Sequence, residues 1–479
     1  MKKKLVVAVL AFVLTMPLLA ACMKNQSAGE NVERVLRIAI VDYDEQYFRQ
    51  QFTDLFEFAN QNIKVEVYPV MNDYRYGNMI GEKQVDPYEK LKETMQGDNP
   101  PDVVMFDYSQ LRDLVENNLL VQLDPLITKD QFDTSTIVTA VLEGLKREGD
   151  NKLYALAPLF QPTALIYNKT IFEQAGVDYP TDNMTWDQIF DLARRVANPD
   201  GDKPVYGFSF NTSYGDLFYG MQQYVAPLQL SIFNEDATKM TVDSDQWEKV
   251  WSTFIQLGKD RITPPVDDGS GKVVRESDHP FGYDDFLAGR LAMALIGYGQ
   301  LDFIINANKN AANYEGFEPI PWDVVTVPSH PEAPGVGGMI YMSGVMGINA
   351  KAQNMDDAWK YLRFVNGEEW AKYKSYGTYQ LSSRINQIKP PDGLDFNIQA
   401  FYNVAPAPLP PEEAVYRKSM SYYQIHDLGR QMFTKALQGE LEVREALKQW
   451  QTQGDQILQQ IKQNPDGPVE GMPAPVPAG

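Results

Sequence analysis

The sequence predicts an α/β protein with a layered sheet whose first strands run parallel. Three short segments rich in apolar and β-branched residues, Val35–Val41, Ile63–Val67 and Asp102–Phe106, alternate with two stretches of helical spacing. Strand–helix–strand–helix–strand order at this spacing is typical of parallel strands joined by right-handed crossovers. No internal repeat, which would indicate a solenoid or propeller, is visible in the sequence.

Each of these elements follows from its local pattern. Val35–Val41 is a nearly continuous apolar run, as expected for a strand buried on both faces. Ile63, Val65 and Val67 alternate with polar residues, which predicts a strand with one buried face. A helix is predicted before Gly97, and another precedes Ile63. The earlier helix carries apolar residues at helical intervals: Tyr47, Phe48, Phe52, Leu55, Phe56 and Ala59.

Caps and apolar stripes mark three later helices. Thr185 and Gln188 form the pattern of a capping box, and Asn354 is a second N-cap residue. A C-terminal helix is predicted from the apolar stripe Val443, Leu447, Trp450, Ile457 and Ile461. These stripes indicate core packing and therefore fold, not function.

The composition limits the classes of protein to consider. The 479 residues are 44% hydrophobic and 22% charged, as in a globular chain of two or three domain-sized units. Lys and Arg number 43 against 64 Asp and Glu, so the formal net charge is −21. Nucleic-acid binding needs a basic surface, and this excess of acid argues against it. A single cysteine excludes a disulfide framework and a Cys-rich metal site.

The N-terminal segment has the pattern of a bacterial secretion signal. Three lysines precede an apolar run that ends at Ala21 and is short for a membrane-spanning helix. Leu19–Cys22 resembles a lipobox, which predicts a signal peptide at 1–21 and a diacylglyceryl group on Cys22. The polar stretch 22–33 is then a lipid-anchored linker. We expect the protein on the outer face of the cytoplasmic membrane of a Gram-positive type of bacterium, attached through its lipid alone.

Sequence patterns that carry catalysis do not occur in the chain. Gly-x-Ser-x-Gly, the Walker A loop, His-Glu-x-x-His and Gly-x-Gly-x-x-Gly are all missing. The three histidines, His279, His330 and His426, lack the spacing of metal ligands and are predicted to lie at the surface or at hinges. We therefore expect no catalytic residue, cofactor or metal.

One segment has a weak likeness to a calcium loop. Asn198–Asp202 has the composition of its first positions, but Lys203 and Ser209 stand where Gly and a bidentate acid are needed. Asp and Gly also form ordinary turns. The sequence leaves calcium binding at this segment open.

Aromatic residues are frequent beside polar residues in segments rich in turns. The rings in question are Tyr43, Tyr108, Tyr214, Tyr298, Trp322 and Tyr341. A flat apolar ring next to hydrogen-bonding side chains is what sugar recognition requires. The alternative is that these rings pack between elements, since the chain has 26 tyrosines.

Several ordered segments resemble the family 1 extracellular solute-binding proteins, the receptors of carbohydrate ABC importers, in their lipid-anchored form. The resemblance covers nearly the whole mature chain. The family that it indicates is that of proteins similar to maltose-binding protein. It is carried by the segments Pro100–Pro125, Leu153–Pro158, Ala164–Gly176, Thr185–Gln188, Phe286–Leu295 and Gly347–Ala350.

The resemblance implies a two-lobed, periplasmic-binding-protein-like α/β fold, with a hinge of crossing strands and a ligand cleft between the lobes. The first lobe would comprise 31–162 plus 328–380, and the second 163–327 plus 381–462. The chain would cross near 161–165, 325–329 and 379–384. The tail 463–479, with five prolines and three glycines, is predicted to be disordered.

The predicted ligand-binding residues come from two sources. Ligands of open α/β sheets bind beyond the carboxyl ends of the strands, which indicates Tyr43, Asp44, Asp107, Tyr108 and Gln110. Similarity of position to the family's cleft segments adds Gln161, Asn211, Tyr214, Tyr298, Gln300, Gly338 and Met339. On this interpretation Asp107 and Gln161 bind sugar hydroxyls and Tyr298 stacks on the sugar. Gly338 allows the backbone to approach the ligand closely.

The resemblance implies a monomeric binding protein of an ABC importer, which captures an oligosaccharide by hinge closure and delivers it to the permease subunits. Two other classes stay open. An anchored enzyme that degrades polysaccharide would consume the sugar. A binding protein for a non-sugar solute or a sensory partner would keep the fold, and a cationic solute would need several acids in the cleft.

Overall fold

The computed structural model describes residues 33–41, 44–71, 86–213, 216–265, 279–338, 340–374, 379–391, 393–409, 415 and 422–464. The predicted signal peptide, the predicted lipidation site Cys22, the predicted linker up to residue 32 and the tail beyond Asn464 lie outside these residues. Within the described ranges, no helix combines the length and apolar character needed to cross a membrane.

The described elements alternate between strands and helices in the order that the sequence predicts for an α/β protein. The strands are β1 Arg34–Ile40, β2 Ile63–Pro69, β3 Val103–Met105, β4 Ala155–Leu156, β5 Leu159–Gln161, β6 Thr163–Asn168, β7 Met293–Gly297, β8 Trp322–Val325, β9 Tyr341–Ser343, β10 Met346–Ile348 and β11 Leu381–Ser382. The helices are α1 Glu45–Phe48, α2 Asp54–Ala59, α3 Pro87–Gln96, α4 Leu111–Glu116, α5 Asp124–Asp130, α6 Thr139–Glu148, α7 Lys169–Ala175, α8 Trp186–Val196, α9 Leu217–Val225, α10 Asp245–Lys259, α11 Leu301–Lys309, α12 Met355–Val365, α13 Glu368–Lys374, α14 Tyr423–Leu437 and α15 Val443–Gln463.

The first sheet has the strand order β2-β1-β3-β10-β4. Strands β1, β2 and β3 are parallel, as predicted, and β10 runs antiparallel to both β3 and β4. The predicted first helix is interrupted, because Arg49–Thr53 forms a π-helical segment between α1 and α2. Its apolar stripe is nevertheless buried at Phe48, Phe52 and Phe56.

Two smaller sheets complete the frame. The second sheet, β7-β6-β8, is antiparallel throughout. The third, β11-β5-β9, is also antiparallel and is called the junction sheet below. Strands β5 and β6 are separated only by Pro162, so the chain passes from the junction sheet into the second sheet within one residue.

Residues alternate between the two faces of β6, and each face contributes to a different core. Ala164 and Ile166 join the core of the first sheet, whereas Leu165 and Tyr167 face a second core. This division follows from the two-residue period of a strand. The second core also contains the apolar faces of α8, α10, α14 and α15, in which Trp251 stacks on Trp450 at 5.5 Å.

The predicted helix caps are confirmed. The Thr185 hydroxyl accepts the N–H of Gln188, and the Gln188 side chain accepts the N–H of Thr185 at 2.8 Å, which closes the capping box of α8. Asn354 caps α12 by accepting the N–H of Asp357. The predicted stripe of α15 is buried at Leu447, Trp450, Ile457 and Ile461.

Candidate ligand-binding site

Three polar or aromatic side chains from three different elements meet at the edge of the junction sheet. Gln161, the last residue of β5, is the register partner of Tyr341 in β9, and both side chains are exposed. Directly opposed residues of an antiparallel pair lie on the same face, with Cβ atoms about 5 Å apart. The Tyr341 hydroxyl donates to Asp107 Oδ2 at 3.0 Å. Asp107, Gln161 and Tyr341 are called the junction surface.

The carboxylate of Asp107 is held by its own turn. Asp107 caps the 3₁₀ turn Tyr108–Gln110, and its Oδ1 accepts the N–H of Ser109 at 2.9 Å as well as the Ser109 hydroxyl. It follows β3, so it lies where the carboxyl ends of the parallel strands place a ligand. Because the carboxylate is already held in place, it loses little further side-chain entropy when it binds a hydroxyl group.

The turn after β7 lies against the crossing strand. The N–H of Tyr298 donates to the Pro162 carbonyl at 3.0 Å, and Gly297 is the register partner of Thr163. A Cβ on Gly299 would lie 2.9 Å from the Tyr379 carbonyl oxygen, so only glycine lets these two backbones pass. The turn that carries Tyr298 therefore lies next to the segment that enters β11.

Two of the predicted residues in this region, Tyr108 and Tyr298, pack between elements, which is the alternative that the sequence left open for these rings. Tyr108 is buried, its hydroxyl donates to the Gly144 carbonyl at 2.8 Å, and burial raises its pKa. Tyr298 is 7% exposed and packs edge-on against Phe401 at 5.5 Å. Burial likewise raises the pKa of Tyr298. A stacking role for Tyr298 would require its ring to become exposed.

The remaining predicted residues occupy a range of positions. Asp44 is exposed and caps α1, whereas Gln110 is buried. Gln300 is exposed, and its Oε1 accepts the N–H of Gly297 at 2.8 Å. Gly338 is buried, and a Cβ there would meet Val327 at an ordinary 3.7 Å, so space alone does not demand glycine. Tyr43, Tyr214 and Met339 lie outside the described residues.

Asn211 lies in a loop that a buried carboxylate holds in place. Thr212 and Ser213 donate to Asp284 Oδ2 at 2.8 and 3.3 Å, and the N–H of Leu287 donates to Oδ1 at 2.8 Å. Burial raises the pKa of Asp284 in spite of these bonds. Because Ser209 bridges Ala294 in parallel, the loop is directed toward the carboxyl end of β7.

Comparison with known proteins decides the family. The family of bacterial extracellular solute-binding proteins matches residues 42–372, which is more than half of the chain. The chain is a bacterial extracellular solute-binding protein. The resemblance read from the ordered sequence segments is confirmed.

Solved structures of solute-binding proteins share the fold at low sequence identity. A sugar transporter of Rhizobium etli in an open conformation is 20% identical, with a TM-score of 0.59, and the match covers 88% of this chain and 98% of that one. The sugar-binding protein MalE of Xanthomonas citri is 17% identical, with a TM-score of 0.59 and coverage of 90% and 98%. The predicted two-lobed α/β fold is confirmed.

Two further relatives were found. An ABC substrate-binding protein of Listeria monocytogenes in complex with cycloalternan is 22% identical, with a TM-score of 0.52 and coverage of 91% and 100%. A binding protein of Brucella abortus is 23% identical over 287 residues, which is 59% of this chain. The chain spans about 62% of the length of that relative.

Two tyrosines beside the site of this solute-binding protein are absent from the predicted ligand-binding residues, although Tyr341 was among the aromatic residues noted beside polar ones in the sequence. Tyr341 is 56% exposed in the junction surface, and Tyr379 is 68% exposed next to the Tyr298 turn. A signal was present for Tyr341, because it alternates with the buried Met342 and so occupies the open face of its strand. Tyr379 lies at the start of the crossing expected near 379–384. The sequence therefore indicated this region, but it did not indicate Tyr379 as a ligand-binding residue. Trp322, by contrast, packs on Phe396 at 5.1 Å.

His330 does not lie at the surface, which is one of the two positions predicted for it. Its side chain is buried, and Nε2 lies 2.7 Å from the Tyr224 carbonyl oxygen. The ring packs edge-on against Tyr224 at 4.4 Å, within a cluster of aromatic residues that includes Trp186. Burial lowers the pKa of His330 and lowers that of His426 to about 4. Both rings are therefore neutral in the folded protein at neutral pH.

We expect these histidines to make the protein sensitive to acid. Because their pKa is lower in the folded than in the unfolded chain, the unfolded state binds more protons below about pH 6.5. The part of the unfolding free energy that depends on neutral histidines is fully present above that pH. It falls as the pH drops toward 4, by about 1.4 kcal/mol per unit of pKa difference. Urea unfolding between pH 7.5 and 5 measures the slope. His330→Asn, which retains a donor for Tyr224, should have a shallower slope, and an unchanged slope contradicts the prediction.

The segment Asn198–Asp202 forms a turn closed by an antiparallel bridge between Asn198 and Val205. Asp200 is paired with Arg261, so its carboxylate already has a cationic partner. Among the described residues, no group of three or more His, Cys, Asp or Glu is arranged to hold a metal ion.

Proposed function

We propose that the protein is the lipid-anchored receptor of an ABC importer, and that it captures an oligosaccharide between its lobes. The junction surface carries this proposal. It combines the exposed ring of Tyr341, the amide of its register partner Gln161 and the carboxylate of Asp107, which accepts a hydrogen bond from the Tyr341 hydroxyl. The Xanthomonas MalE is a sugar-binding protein and the Listeria protein was solved with cycloalternan, which supports a sugar as the ligand.

The chemistry of the three residues suits a pyranose. The apolar C–H face of the sugar packs on the Tyr341 ring, and its hydroxyls donate to Asp107 and exchange hydrogen bonds with Gln161. The bond from the Tyr341 hydroxyl to Asp107 fixes the orientation of both groups before the ligand arrives. Such preorganisation raises affinity because less side-chain entropy is lost on binding.

Transport requires that the ligand bind the closed form more tightly than the open form. We assign the lobes to 31–162 plus 328–380 and to 163–327 plus 381–462, with the junction sheet between them. The start of the last range, β11 and Arg384, is bonded to residues of the first lobe. A sugar that contacts both lobes stabilises the closed form, which then docks on the permease subunits. Lipid attachment at Cys22 would keep the receptor beside its permease on the outer face of a Gram-positive membrane.

A thermal-shift screen of mono-, oligo- and non-sugar solutes tests this function on the chain from residue 23 onward. A ligand at a hundred times its dissociation constant adds about 2.7 kcal/mol to the free energy of unfolding, so the melting temperature rises by several degrees. We expect an oligosaccharide to produce this shift without being consumed. Hits only among amines or peptides would overturn the sugar assignment. Hydrolysis of the sugar would show an enzyme instead.

A further inference from the structure

The third connection between the lobes begins with a very short strand. Strand β11 has two residues, and it pairs only through Leu381 with Phe160 and Ser382 with Leu159. Two residues of pairing hold an edge strand weakly. The position of the segment must therefore be fixed by the residues that follow.

Backbone bonds extend the attachment of this segment to the first lobe. The N–H of Ser383 donates to the Pro158 carbonyl, and the Ser383 carbonyl accepts the N–H of Val138, both at 2.8 Å. The N–H of Ile385 donates to the Thr136 carbonyl, also at 2.8 Å. The chain around residue 384 thus lies against the segment that leads into α6.

The buried side chain of Arg384 links this segment to the first lobe by hydrogen bonds. The residue is 4% exposed, and its Nε donates to the Asn366 carbonyl at 2.7 Å. Its Nη1 donates to the Asp133 carbonyl at 2.7 Å and to the Thr136 hydroxyl at 2.6 Å. The guanidinium also lies 4.9 Å from the centre of the Phe132 ring. A planar, multiply donating group suits three acceptors at fixed angles, which an ammonium group does not.

After this segment, the chain contacts residues of the second lobe. Phe396 packs on Trp322 of the second sheet, and the N–H of Asn397 donates to Asp323 Oδ1 at 3.0 Å. The Asn397 amide also donates to Asp182 Oδ2 at 2.9 Å. The connection is therefore attached to the first lobe at Arg384 and to the second lobe at Phe396.

We propose that Arg384 is a positioning residue of the hinge, which fastens β11 to the first lobe and confines lobe movement to the chain that follows it. This inference rests on the proposed closure of the lobes. Without the fastening, β11 and the neighbouring Tyr379 would no longer hold a fixed position beside Gln161. The free protein would then sample a wider range of lobe orientations.

The test compares Arg384→Lys with Arg290→Lys in the chain from residue 23, which retains every described residue. Arg290 is a suitable control because its side chain is only 14% exposed and it bonds to Asp285 at 2.6 Å and to the Gly282 carbonyl, neither of which belongs to β11 or its attachments. Loss of a hydrogen bond from a buried charged group should speed amide exchange at Val138, Ser383 and Ile385 about tenfold in Arg384→Lys alone. Thr136→Ala, which removes a single acceptor, should give a smaller change in the same amides and serves if Arg384→Lys does not fold.

Spin labels at Lys129→Cys and Lys259→Cys report the lobe orientation without ligand, since the chain from residue 23 has no other cysteine. We expect a broader distance distribution in Arg384→Lys and an unchanged one in Arg290→Lys. Unchanged exchange at the three amides overturns the fastening. Faster exchange with an unchanged distance distribution overturns the role in the hinge. Failure of the sugar proposal would appear separately, as a wild-type protein whose melting temperature no sugar raises.

Discussion

Replacement of Tyr341 by alanine is expected to weaken sugar binding about 30-fold, equivalent to about 2 kcal/mol. The ring is 56% exposed in the junction surface, so its removal takes away contact area for the sugar and little of the protein core. It also removes the hydroxyl that orients Asp107. The measurement is calorimetric titration with the sugar that the thermal-shift screen identifies.

Two matched variants separate the contributions at this position. Tyr341→Phe keeps the ring and loses only the bond to Asp107, so we expect about a fivefold loss of affinity. Phe58→Ala removes a ring that is 80% exposed in α2, ahead of the amino end of β2, and should bind like the wild type. If Tyr341→Ala binds the sugar as tightly as Phe58→Ala does, the junction surface is not the ligand site.

The parts of the fold with a regular pattern were predictable from sequence. The parallel strands β1 to β3 and the capping box of α8 depend on residues close together in the chain, so local periodicity and cap chemistry reveal them. The junction sheet could not be found in this way. Its strands have two or three residues each, which is too short for a period to show.

The candidate site, like the fold, was predictable only in part. Asp107 and Gln161 were predicted, the first from its place after β3 and the second from the resemblance. The bond between Asp107 and Tyr341 joins residues 234 positions apart, and no local sequence pattern predicts such a contact. Burial was misjudged for His330 because a polar flanking sequence says little about which groups an aromatic cluster encloses.

Loss of the Asp102 carboxylate is expected to cost the fold about 3–5 kcal/mol of unfolding free energy. Asp102 belongs to the segment Pro100–Pro125, which carries much of the family resemblance, yet it has no place in the ligand site. It is completely buried. Its Oδ2 accepts the N–H of Arg37 at 3.0 Å, and its Oδ1 accepts those of Gln353 and Asn354 at 2.9 and 2.8 Å.

One carboxylate thus ties β1 to the start of α12. In Asp102→Ala three part-buried N–H groups lose their acceptor, and each costs about 1–3 kcal/mol when nothing replaces it. Asp102→Asn has a single carbonyl oxygen, which can serve the pair of N–H groups at α12, while its NH₂ faces the N–H of Arg37. We therefore expect Asp102→Asn to lose about half as much as the alanine variant.

Urea unfolding of Asp102→Ala, Asp102→Asn and Asp191→Ala gives the comparison. The Asp191 side chain is 75% exposed in a surface pair with Arg194, so its removal should change the unfolding free energy by less than about 0.5 kcal/mol. Equal losses for the alanine and asparagine variants would show that charge, and not the count of acceptors, stabilises this position. A loss for Asp102→Ala no larger than that for Asp191→Ala would show that water replaces the carboxylate.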